Sequence, residues 1–61
     1  MCLSAVYEIN GGSERLVCER AAAIVQNGGV VTLTGLMGEE IVLKGILKSI
    51  DLVKNIVKVE V

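Results

Sequence analysis

The chain has 61 residues, 52% of them hydrophobic, with a formal net charge of −1 and one aromatic side chain, Tyr7. With no histidine, Ser-His-Asp and Cys-His catalysis and imidazole metal ligation are excluded. With no Phe or Trp, there is no platform on which successive bases could stack.

Size sets a further condition. A chain this short buries only about 60% of the surface its unfolded form exposes. A disulfide, a metal or a partner subunit is therefore expected to reinforce it.

The first predicted strand shows period-two alternation. Leu3, Ala5, Tyr7 and Ile9 form its apolar set, while Cys2, Ser4, Val6 and Glu8 line the opposite face. With the apolar set taken as core, Cys2 is expected to point outward. Asn10-Gly11-Gly12 is a hairpin signal. Val17, Ala21, Ile24 and Val25 then fall at helical spacing, and Ala21 to Ala23 favour helix. A strand is expected over 22–26, and a helical turn near 17–21 stays open.

Asn27-Gly28-Gly29 repeats the turn signal, although it would also serve as a helix C-cap. Val31 and Leu33 lead to a turn over Gly35 to Gly38, and Ile41 and Leu43 resume the odd phase. After Gly45 the apolar set becomes Ile46, Ile50 and Leu52, so a bulge or bend is expected at that glycine. Lys54-Asn55 is a further turn. Val57, Val59 and Val61 share one face of the last strand, with Lys58 and Glu60 on the other. The 23 Val, Ile and Leu residues in short, regularly punctuated runs predict an all-β sandwich or barrel. About five to six antiparallel strands and a single domain over 1–61 are expected.

Charge and targeting signals set the class of partner. Lys44, Lys48, Lys54 and Lys58 stand against Asp51 and Glu60 after residue 41, whereas the earlier part is acidic. Nucleic-acid affinity rests on neutralised phosphates, so nucleic acid is not an expected partner. The start MCLSAVYEINGG lacks the basic and apolar regions of a signal peptide. No apolar run approaches the length of about 20 residues needed to span a membrane. A cytoplasmic protein with reduced thiols at Cys2 and Cys18 is expected.

Cys2 is the candidate metal ligand. It lies next to the chain's own amine, and removal of Met1 would set a thiolate and an amine on adjacent carbons, a five-membered chelate. An incidental terminal cysteine is the competing reading. One thiol cannot complete a four-donor site, but a two-fold dimer would supply two thiolates and two nitrogens. Square-planar nitrogen-containing coordination suits Ni(II) or Cu(II), and thiolate alone suits Cu(I) or zinc. Cys18 is read as a small residue packed in or beside the core, and its spacing from Cys2 matches no zinc framework. Gly35-Leu36-Met37-Gly38 imitates an RNA-binding GXXG loop without its basic flanks, so it is read as a plain turn. Glu39-Glu40 is read as a solvated turn, because neighbouring strand residues face opposite ways.

The Met1-Cys2 start, the turn followed by VVTLTGLMGEE, and the segment from Gly45 through Ile50-Asp51-Leu52 to Ile56 together resemble the CooT family. These are small nickel-binding accessory proteins of carbon monoxide dehydrogenase maturation. The resemblance implies a small SH3- or Sm-like barrel and no enzymatic activity. It also implies a homodimer that binds Ni(II) through Cys2 of each subunit near the interface. Carbon monoxide dehydrogenase or its maturation machinery is the implied partner. Only Cys2 carries over as a ligand. Small barrels of this type have also been read as RNA-binding, and a protein-interaction adaptor is the other alternative.

Overall fold

A computed structural model describes residues 3–61. It is all-β. Six strands, β1 (Ser4–Asn10), β2 (Ser13–Asn27), β3 (Val30–Gly35), β4 (Glu40–Lys44), β5 (Ile46–Asp51) and β6 (Ile56–Glu60), form one sheet in the order β4-β3-β2-β1-β6-β5. Among the described residues no helix is long and apolar enough to cross a membrane.

The glycine-rich turns act as their sequences predict. Asn10 pairs with Ser13 and Asn27 with Val30, so each hairpin closes over two glycines. The first glycine takes positive φ in both, 63° at Gly11 and 62° at Gly28, the backbone that the tight hairpin turn demands. Asn55 also adopts positive φ, 57°, where the chain reverses between β5 and β6. Asp51 braces that turn, its Oδ1 accepting from the amides of Val53 and Lys54 at 3.0 Å each.

One pairing departs from the antiparallel expectation. β1 and β6 run parallel, with Val6 opposite Val57 and Glu8 opposite Val59. The other four pairings are antiparallel. The sheet curls on itself without closing. At the β4–β5 corner the Gly45 amide donates to the Gly29 carbonyl at 2.8 Å. The Gln26 side chain spans the same corner. Its Nε2 donates to the carbonyls of Gly28 (2.7 Å), Val30 (3.3 Å) and Gly45 (3.1 Å), and its Oε1 accepts from the Leu47 amide at 2.9 Å.

The core gathers Val6, Cys18, Ala21, Val31, Leu33, Leu43, Val57 and Val59, with Val17, Ile24, Ile41 and Leu47 packed against it. Val31, Leu33, Leu43, Val57 and Val59 of the odd-numbered apolar sets bury as expected, Ile41 packs half-buried against them, and Val61, just beyond β6, is exposed. Three segments depart from the expected pattern, each for a physical reason.

In β1, Val6 is fully buried and Ile9 is buried as expected, whereas Ala5 and Tyr7, like Leu3 before the strand, are half-buried. Register shifts against β2 on both sides of Val6 break the alternation here. Alternation in β1 consequently does not fix the direction of Cys2, which lies outside the described residues.

In β2, the helical turn left open near 17–21 is strand. Register shifts against both neighbours insert extra residues into β2. Its inward positions become Cys18, Ala21 and Ile24, a spacing of three that imitates a helix. Bulges change the phase of a strand without ending it.

In β5, the expected core set Ile46, Ile50 and Leu52 is exposed at 63%, 57% and 79%. Leu47 packs on the core instead, and an irregularity between Leu47 and Ser49 resets the register around Lys48. Gly45 makes a sharp corner rather than a bulge.

Candidate metal centre and surrounding surface

Cys18 lies in β2 opposite Val6 of β1 and is 5% exposed. It is a free thiol inside the core cluster, as expected for a small packed residue. Among the described residues, no three His, Cys, Asp or Glu side chains gather as a possible metal site. The metal ligand expected from the sequence, Cys2, lies outside the described residues and is joined through Leu3 to Ser4 at the start of β1.

Ser4 opens onto a groove. It lines a cavity of about 270 Å³ with Ala21–Ile24 of β2, Leu47 and Ile50 of β5, Leu52 and Val57. Ile50 pairs with the core residue Val57 and takes the inward phase of β5. It is nevertheless more than half exposed, because no strand covers this end of the curled sheet. Leu52 and Val53, the latter 92% exposed, stand beside it on the Asp51-braced turn.

A second cavity, of about 350 Å³, lies where β2 meets the β3–β4 turn. Val17, Cys18 and Ile41 line it, with Leu36 and Met37 from the turn. The turn is tied by the Gly35 amide to the Glu39 carbonyl (2.8 Å) and by the Gly38 amide to the Gly35 carbonyl (3.0 Å). The Glu39 carboxylate accepts from the Met37 amide at 3.1 Å and occupies the space beside Gly35 that a Cβ there would need. The GXXG sequence is a braced turn. Glu39 caps it and Glu40 begins β4.

Of the four lysines, Lys54 and Lys58 line one cavity of about 600 Å³ together with Asp51, and Lys44 and Lys48 lie outside it. Lys48 Nζ sits 3.4 Å from Glu60 Oε2, and Lys58 Nζ sits 3.1 Å from Glu14 Oε2. Two of the four charges are thereby offset in place. Sequence reasoning missed both apolar cavities, although a signal was present. Leu36-Met37 and Leu52-Val53 set pairs of large apolar residues in turns, where small polar residues normally stand.

A small, curled all-β domain with a buried core thiol and two apolar surface cavities has the anatomy of a binding module. The family model described as CO dehydrogenase accessory protein CooT matches residues 1–60. The chain belongs to the CooT family. It is similar in structure to a protein assigned as CooT from Carboxydothermus hydrogenoformans, at a TM-score of 0.85 and 25% identity. That match covers 97% of this chain and 95% of the other. No curated protein matches the chain in sequence.

Proposed function

We propose that the chain, acting as one domain in the cytoplasm, holds Ni(II) through Cys2 for carbon monoxide dehydrogenase maturation. The observation that carries this reading is family membership over residues 1–60, a span that includes Cys2. Nickel is cargo here. Burial of Cys18 in the core supports the assignment, because it withdraws that thiol from an incoming ion.

The described residues of one copy bring no three ligands together, so a four-donor site draws on two copies. Two Cys2 thiolates and two nearby nitrogens would supply it in a two-fold dimer. The apolar groove beside Ser4 supports such a partner, since a second copy seated there would lie close to the entry of β1. The thiolate must lose its proton to bind, so nickel affinity is expected to fall as pH falls.

The test is a Ni(II) titration of the wild type, Cys2→Ser and Cys18→Ser, read by thiolate-to-nickel absorption and by native mass. One nickel per two chains, lost in Cys2→Ser and kept in Cys18→Ser, is expected. Unchanged binding in Cys2→Ser, or one independent site per chain, overturns the proposal.

A further inference from the structure

We infer that the cavity between β2 and the β3–β4 turn docks a segment of a partner protein in which lysine or arginine flanks a large apolar side chain. The inference goes beyond nickel binding and uses a different part of the surface. Leu36 is 50% exposed and Met37 88% exposed at its rim. Val17 and Ile41 continue the apolar lining inward. Methionine is flexible and polarisable, and adapts to varied apolar partners.

The rim is held before any partner arrives. The Leu36 amide donates to the Arg20 carbonyl at 3.0 Å, tying the turn to β2. Glu39 braces the turn from within. Little ordering is then required on binding, which favours affinity.

Charge selects the occupant. Glu8, Glu14 and Glu60 are each in an ion pair, and Asp51 caps a turn. Glu19, Glu39 and Glu40 have no cationic partner among the described residues. Glu19 and Glu39 line this cavity, and Glu40 follows directly at the start of β4. Arg20 is the one cation lining the cavity. The field here therefore favours a basic partner. A second copy of this chain is disfavoured, because the chain carries a net charge of −1 and offers no excess of cations to meet these carboxylates. A metal ion is disfavoured by the absence of three clustered ligands among the described residues.

The probe is the synthetic peptide GKRLLKRG, titrated into isotope-labelled full chain with amide shifts as the readout. Shifts are expected to concentrate on 17–20 and 36–41 and to weaken steeply with added salt. Met37→Ser and the charge-reversed variant Glu19→Lys are each expected to weaken binding by about fivefold or more, the range of a lost anchor or a reversed rim charge. Equal binding of the acidic peptide GEDLLEDG, shifts centred on the Ile50–Leu52 groove, or no binding overturns the inference. So does a change of oligomeric state in the charge-reversed variant, which would mean that a second copy covers this cavity. Nickel stoichiometry measured on the same variants should equal that of the wild type. Failure of nickel binding in the wild type would count against the proposed function and leave the peptide result standing.

Discussion

Gln26 shows how one side chain holds a corner that no strand pairing closes. Its amide donates to three carbonyls and accepts from the Leu47 amide, so it joins the β2–β3 turn to the start of β5. Water can replace part of this set, because the residue is exposed. Gln26→Ala is expected to lower stability by about 1–2 kcal/mol, the range of a few partly compensated hydrogen bonds. Gln26→Glu should do at least as much harm, because a second carboxylate oxygen would replace the donor facing those carbonyls. Urea unfolding of the two variants checks the order. Nothing in the sequence marked this glutamine, since two of its four partners, Gly45 and Leu47, lie 19 and 21 residues further along the chain. Cys18 was more legible. A small apolar-tolerant residue within an apolar stretch, away from any ligand framework, reads correctly as core.

At the scale of elements, the turns were the most readable feature and strand phase the least. Asn-Gly-Gly sequences act locally, through backbone freedom that only a few residues have. Phase depends on neighbours. In β2 the bulges are visible only against β1 and β3, and they convert an alternating strand into a spacing of three. In β5 the shift at Lys48 carries the inward phase from Leu47 to Ile50, so Ile46 faces outward while Ile50 faces inward at an end that no strand covers. The Gly45 corner was read correctly as a break, and its physical basis is close approach. A Cβ there would strike the Glu60 carbonyl oxygen and come within 3.1 Å of the Val61 Cα. Both atoms belong to backbone, which has little room to yield. Gly45→Ala is therefore expected to cost at least about 1–3 kcal/mol, the usual penalty of overpacking. Thermal unfolding beside the wild type measures it, with Gly29→Ala, whose added Cβ meets nothing within 4 Å, as the comparison.

The whole molecule leaves one end of its core uncovered. Ile50, Leu52 and Val53 stand exposed beside the Ser4 groove, over a floor that includes the buried residues Ala21 and Val57. If a second copy seats there, Ile50→Asp should convert a dimer to a monomer with little change of fold, since the residue is already 57% exposed. The wild type's melting temperature should then rise with protein concentration, and that of Ile50→Asp should not. Sedimentation equilibrium and melting at several concentrations test both expectations. Length alone raises the expectation of some reinforcement, but it points to no face. The face arises where the curled sheet stops short of closure, a property of six strands together and of no local run of residues.

The parallel pairing of β1 with β6 also bears on the order of assembly. β1 to β4 are successive antiparallel neighbours, so they can form a meander by local closure alone. The flank of β1 that receives β6 must wait, because Ala5 meets Ile56 across nearly the whole chain. Contacts of such long sequence separation form slowly. During synthesis the nascent meander would expose Val6 and an unpaired strand edge until the closing residues emerge from the ribosome. That interval is when aggregation or chaperone capture would compete with folding, and it ends only when β6 slots between β1 and β5.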